Sequence, residues 1–512
     1  MTYSFNLIDQ SWIPCTRLDG RMEEFSLREA LAQAHELRGV QGDSPLETAS
    51  LYRLFLAVIH SVLRGPKNKN AWAELWNAKQ FDMNKFDAYF KKWHTRFDLF
   101  DEERPFYQFT DKEMVEKSAL LLPHGMSTAN ELFEHQTVVE TIPIRFKQAA
   151  RMLLVGQNFG LGGLVYPGRP NLTRSPLLNG VWFLVEGDSL FETLLLNCLQ
   201  YTRDKPMPTL GTDEPTWEMG KPFTSRKKPN GYLDYLTWQN RKVLLVPSDE
   251  EESVSSMKIM RGLDLDKDVE DPFKLYLKRE KGWRFLPFTK ERSLWRDSHT
   301  LVRRTDRENV RPPESVNWLA LLLEDTDCLK PSQMYRYMAL GAGVHYKDAK
   351  IYFYRHESMP LPLSYLANDD LVSKLTEAAT LTEQVKSALK RASYTLAKNF
   401  ISPSAEEKNG RQPDSGDVEK MLTHWNVETN YWSKLETPYS LLVVDLPTDP
   451  ESALSRWKET LQETAWEALK NAERMAGENT KALKAATRAE GVLYGELKKL
   501  FPESQPQKEV PA

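Results

Sequence analysis

At "MPLPLSYL", residues 359 to 366, the hydrophobic rhythm of the chain changes, and no single architecture satisfies both sides of that change. Beyond it, Leu371, Leu375, Ala378, Val385, Leu389, Ala392 and Leu396 recur at helical spacing behind Asn368 and Asp369 as caps, which predicts one long amphipathic helix. Helical patterns return at 417–435, 450–475 and 480–500. In the segment 450–475, Leu454, Trp457, Leu461, Ala465, Ala468 and Leu469 share an apolar face, and Gly477 stands where that helix should end. Four helices of this kind predict an antiparallel bundle. The stretch between the first two, 402–416, is poor in apolar residues and reads as a mobile loop.

Before residue 365 the texture is mixed. "RLDGR" supplies an Asp-Gly turn between two strand-like runs, and Ser26 with Glu29 has the spacing of a capping box opening a helix. Residues 44–63 place Leu51, Leu54, Phe55, Val58, Ile59 and Val62 on one helical face, while "GVWFLVEG" and "RKVLLVP" read as strands. A chain of 512 residues is too long for one core. The predicted fold class is therefore α+β: a large irregular mixed α/β domain over 1–365, a four-helix bundle over 366–502, and a disordered tail over 503–512.

Three cysteines, Cys15, Cys198 and Cys328, form no C-x-x-C pair, and none of the nine histidines has zinc-ligand spacing. No metal and no cofactor are expected. The polar start "MTYSFNLIDQ" lacks a signal pattern, and no apolar run reaches the roughly 18 residues of a membrane span, so a cytoplasmic protein without a membrane partner is expected. No nucleophile elbow or H-E-x-x-H motif occurs, and the chain reads as non-enzymatic, a metal-free enzyme with a site assembled only in three dimensions being the alternative. The net charge of −4 disfavours a free-standing nucleic-acid binder. One segment departs from that average. Between Lys274 and Arg304 ten basic residues face three acidic ones, interleaved with Tyr276, Trp283, Phe285, Phe288 and Trp295, a mixture suited to phosphates and bases or simply to a solvated face.

The stretch "NFGLGGLVYPGRP", 158–170, carries four glycines, yet its spacing fits neither a phosphate loop nor a dinucleotide fingerprint. It is an ordinary surface loop, or a place where something approaches the main chain.

Together with this loop, "NLIDQSWIP", "ERPFYQF" at 103–109, "STANELFEHQ" at 127–136, "YLKREK" at 276–281 and "YKDAKIYFYRHE" at 346–357 occur in an order and spacing that resembles the CasA family. Its members are large subunits of the type I-E CRISPR surveillance complex Cascade. The resemblance implies a subunit that recognises the protospacer-adjacent motif in double-stranded target DNA through the minor groove. It further implies the start of duplex unwinding and R-loop formation, contact with the CRISPR guide RNA and other Cascade subunits, and recruitment of a helicase-nuclease. It assigns Gly160, Gly162 and Gly163 to a glycine loop entering that groove, where backbone without Cβ fits a width of about 6 Å. It assigns Lys281 or Lys278 to a lysine finger; Arg279 and Arg284 nearby could position phosphates, or all four could simply solvate a strand. It places a strand-splitting wedge at Lys347, Asp348, Ala349 and Lys350, followed by Arg355 and His356. Asp348 departs from a glutamine in the family, and a carboxylate there is repelled by phosphates unless Lys347 or Lys350 compensates. It assigns Asn130, Phe133 and His135 to a loop sensing the guide RNA and the motif. Lys386, Lys390, Arg391 and Lys398 on the first bundle helix would guide a displaced strand, touch neighbouring subunits, or only be solvated. A structural adaptor without motif readout would need the bundle but neither the glycines nor the basic segment.

Overall fold

Ser44 and Pro45 start the helix Pro45–Leu63, around which the larger part of the chain is built. Ser44 Oγ accepts the Glu47 amide at 3.2 Å, proline occupies the first turn where its missing N–H costs nothing, and Arg64 closes the helix in the left-handed region. The computed structural model describes residues 3–122, 143–164, 168, 170–178, 180–248, 252–290, 292–302, 309–345, 350–403 and 412–502. Contrary to the sequence reading, this helix is long and apolar enough to cross a membrane by length and composition. Its apolar window is nevertheless 89% buried inside the protein, as befits a core helix that is apolar all round. Arg53, on its third turn and almost wholly buried, donates from Nε to the Leu236 carbonyl at 2.9 Å and lies 3.7 Å from Asp271.

Contacts divide the chain into two units, Met1–Leu294 with Thr300–Met359, and Trp295–His299 with Pro360–Ala512. In the first, short strands form four small sheets. Ile13–Arg17 pairs with Met22–Phe25 across the Asp-Gly turn, where Gly20 has φ 88°. The capping box at Ser26 and Glu29 is formed in both directions. Strand Arg241–Pro247 pairs antiparallel with Ser253–Arg261, beside the helix Phe146–Phe159. Trp182–Glu186 pairs with Met334–His345, from Leu340 opposite Trp182 to Arg336 opposite Glu186, and Lys350–Pro362 completes that sheet. These partners lie some 150 residues apart, so burial of Trp182, Phe183 and Val185 selects the pairing.

The second unit is helical. Asp369–Ile401, Pro450–Ala476 and Thr480–Leu500 are long rods whose apolar stripes face one another. Asn368 caps the first by accepting the Asp370 amide at 3.0 Å, and Gly477 ends the second at φ 94°. Full burial of each of Leu389, Leu396, Leu461 and Leu493 contributes roughly 1.5–3 kcal/mol. The expected helix over 417–435 is instead two short ones, Ser415–Trp425 and Val427–Ser433, and a third, Glu436–Asp445, follows beyond the expected end. Asn426 at φ 51° makes the first break, because a left-handed residue cannot continue the ladder. The fourth rod of the bundle is thus a jointed one. The segment Trp295–His299 also belongs to this unit: Trp295 packs on Tyr439 with ring centroids 4.7 Å apart, and Arg296 lies over Trp432 and pairs with Glu383. Residues 404–411 of the predicted loop and the tail 503–512 lie outside the described residues.

Candidate nucleic-acid interface

The glycine stretch begins where the helix Phe146–Phe159 runs out of partners for its last carbonyls. The returning chain, around Leu172–Leu177, supplies them. Ser175 N donates to the Gly160 carbonyl and Leu177 N to that of Asn158, both at 2.9 Å, while Ser175 Oγ donates to Gly156 at 3.2 Å. Arg241, fully buried, completes the seal. Its Nη1 donates to Ser175 Oγ at 2.8 Å and to Asn240 Oδ1 at 2.7 Å, and its Nη2 to the Leu161 carbonyl. No carboxylate pairs with it among the described residues, and burial pulls its pKa down to about 9. The negative end of the helix dipole and these carbonyls are its counter-charge.

This arrangement separates the three glycines. Gly160 faces inward: a Cβ there would lie 2.2–2.5 Å from the Arg241 guanidinium, so its missing side chain is explained inside the protein. Gly162 is half-buried against the Leu172 carbonyl, 3.2 Å from where its Cβ would be. Gly163, at φ 158°, exchanges hydrogen bonds with Leu172 at 3.1 and 2.8 Å, and its missing Cβ would enter open space. Leu164 beside it is 54% exposed. The outward-facing bare position is therefore Gly163, with Gly162 half-buried beside it.

The lysine candidates lie on a hairpin, Tyr276–Arg279 with Gly282–Phe285, turned by Glu280, Lys281 and Gly282 at φ 95°. Lys281 is at its tip. Lys278 is opposite Trp283 and shares its face with Tyr276 and Phe285, whereas Arg279 and Arg284 lie on the other face. All four cations are exposed, and none of their side chains makes a hydrogen bond or ion pair with another described residue. The rest of the basic run is dispersed. Lys274 is buried and donates to the Pro176 carbonyl at 2.7 Å, burial pushing its pKa down to about 8, and Arg296 is held by Glu383.

Glycine loop and hairpin hang on the same segment, Leu172–Val181. Leu172 and Ser175 fasten the loop, and Pro176 receives Lys274 from the foot of the hairpin. Gly180 presses its bare Cα against Phe285, which a Cβ would approach to 2.7 Å, and Val181 N bonds Leu286 O at 3.2 Å. The wedge residues Lys347, Asp348 and Ala349 lie outside the described residues, between the adjacent strands Met334–His345 and Lys350–Pro362. Lys350 opens the second strand, half-buried. Behind it Arg355 points inward, over Phe288 and Phe353 at 4.7 and 5.0 Å, donating to the Thr289 carbonyl and pairing with Glu357 at 3.1 Å. His356 is on the exposed face with Tyr352 and Tyr354. Asn130, Phe133 and His135 also lie outside the described residues.

The family model for CRISPR-associated protein Cse1 matches residues 6–468. The chain belongs to the Cse1 family. A family relative, CRISPR-associated protein CasA/Cse1 of Thermus thermophilus, is 32% identical over 511 residues, covering 96% of this chain and 98% of its own. The crystal structure of Thermus thermophilus CasA superimposes with a TM-score of 0.81 at 28% identity, covering 97% of this chain and 100% of that one. Cse1 from Acidimicrobium ferrooxidans gives 0.83 at 22% identity over 98% and 99%. A chain of a CRISPR RNA-guided surveillance complex gives 0.76 at 22% over 96% and 99%. The Cse1 fold is thus the mixed α/β body with a C-terminal helical part seen here.

Two features escaped the sequence reading. Arg241 was read only as the start of a strand, since its partners other than the adjacent Asn240 are 66 to 84 residues away. The bundle cations are mostly committed to carboxylates, Arg391 to Glu496, Lys390 to Glu428 at 3.7 Å and Lys386 to Glu383 at 3.8 Å, while Lys398 sits in the last turn of its helix. That pairing favours a neutralised face. Among the described residues no group of three or more His, Cys, Asp or Glu could hold a metal ion.

Proposed function

We propose that this Cse1-family chain is the non-catalytic DNA-recognition subunit of a cytoplasmic CRISPR RNA-guided surveillance complex. It reads the protospacer-adjacent motif in double-stranded DNA from the minor groove, begins R-loop formation and recruits the helicase-nuclease. The observation that carries this reading is the contrast in charge pairing among the described residues: Lys278, Arg279, Lys281 and Arg284 stand exposed on one hairpin without a partner there, while Arg296, Arg355, Lys390 and Arg391 are all paired. Unpaired cations on a narrow projection suit phosphates and the minor-groove acceptors thymine O2 and adenine N3. Gly162–Gly163, fastened to the same segment as that hairpin, offers bare backbone that can approach a groove closely, although the N–H and C=O of Gly163 are themselves taken by Leu172. Minor-groove patterns distinguish base pairs poorly, so several motif sequences are tolerated. Opening the adjacent step costs a few kcal/mol, offset by these contacts and then by near-balanced strand exchange with the guide.

Replacing Lys278 and Lys281 together by alanine tests this. Motif-dependent duplex binding by the assembled complex is lost, while assembly on guide RNA is intact. Unchanged duplex binding would instead identify a structural adaptor.

A further inference from the structure

The motif "ERPFYQF" took no part in the interface above, yet it builds one wall of a cavity of about 350 Å³ on the larger unit, within the ~300–1,000 Å³ range of small-molecule sites. Three observations mark the cavity as more than a packing fault. Tyr107, in its wall, is held at φ 56°, a left-handed conformation that is costly for an aromatic residue and concentrates at ligand sites. Gln239, also lining it, is 2% exposed and its side-chain Nε2 has no hydrogen-bond partner among the described residues, a buried donor that a ligand acceptor would satisfy. Arg96 and Arg104 are gathered in the lining with Lys221 against a single lining carboxylate, Glu103, although Asp101 lies 3.6 Å from Arg96. Burial and the neighbouring Arg96 hold Arg104 below the usual guanidinium range, so like charges are kept together there at a cost. Phe109 and Phe223, edge to face with centroids 4.7 Å apart and each half-buried, add an aromatic surface.

We propose that this cavity is a nucleotide subsite, in which a base lies against Phe109 and Phe223 and accepts from Gln239 Nε2 while its phosphate meets Arg104, Arg96 and Lys221. Anion-binding donors and aromatic faces within one small concavity fit a phosphorylated planar heterocycle better than a peptide or a lipid. The nucleotide is either free or an unstacked residue of a bound nucleic acid. The proposal does not depend on the motif-recognition reading, since no residue is shared.

Calorimetric titration of the full chain with AMP, UMP, adenosine and inorganic phosphate tests it. The monophosphates bind saturably, one per chain, at least about tenfold tighter than adenosine or phosphate alone. Gln239→Leu removes a buried unpartnered amide, so it leaves the unliganded protein equally or more stable to heat while weakening AMP about fivefold. Phe223→Ala and Lys221→Glu, at less buried positions, each weaken AMP as well. Repeating the titration on the complex assembled with guide RNA separates the sources: blocked binding means a nucleotide of the RNA occupies the cavity, and retained binding means a free one does. Absence of saturable binding at millimolar nucleotide, or affinity unchanged in all three variants, overturns the proposal.

Discussion

A single glycine shows how far a residue's role is set by partners the sequence does not reveal. Gly160 and Gly163 look alike in "NFGLGG", but one abuts a buried guanidinium and the other faces open space. Gly160→Ala therefore drives Arg241 from the Leu161 and Ser175 oxygens and costs about 1–3 kcal/mol of stability, read by chemical denaturation. Gly163→Ala meets no neighbour but strains a backbone at φ 158°, costing about 1–3 kcal/mol without moving Arg241, and it lowers motif-dependent duplex binding by placing a methyl where the groove wall would be. His60 behaves differently again. Enclosed by Tyr201, Tyr232 and Cys198, it has its pKa pushed down to about 3 by burial, far below the ordinary 6.5. Protons then bind the unfolded state first. Its stability contribution is complete above pH 6.5 and is lost as pH falls toward 3, about 2 kcal/mol of it between pH 7 and pH 5. Denaturation at both pH values should show that loss, and His60→Gln should remove the pH-dependent part.

At the scale of elements, local chemistry was legible and long-range pairing was not. Ser26 with Glu29, the Asp-Gly turn, Asn368 and Gly477 act through neighbours within a few residues, and each is where its pattern indicates. The apolar stripe from Leu371 to Leu396 likewise marked its helix, because periodicity is a local property. The jointed rod shows the limit. Helical periodicity continues across Asn426, which adopts φ 51°, and only tertiary packing of Trp425 and Tyr431 holds the break. Asn426→Gly is accordingly neutral or mildly stabilising, whereas Asn426→Val costs about 1–2 kcal/mol, measurable as a lowered thermal midpoint. The basic run from Lys274 to Arg304 also read as one patch, although contacts distribute it among a buried anchor, an exposed hairpin and the helical unit. No charge count could separate them, since burial of Lys274 depends on a carbonyl 98 residues away.

For the whole molecule, the proposed role is energetic: an exposed basic hairpin and a bare turn, both fastened to Leu172–Val181, stabilise unopened duplex before guide pairing begins. A contact of this kind releases counterions, so Lys278→Ala with Lys281→Ala should flatten the salt dependence of duplex binding by roughly one to two units of slope, measured from 50 to 200 mM salt. The most direct test places a photocrosslinking amino acid at Leu164, and separately at Lys281, in the complex assembled on guide RNA and mixed with motif-bearing duplex. Both positions should crosslink to the motif base pairs, and much less when the motif is scrambled. Tight duplex binding with neither position reaching DNA would contradict the account.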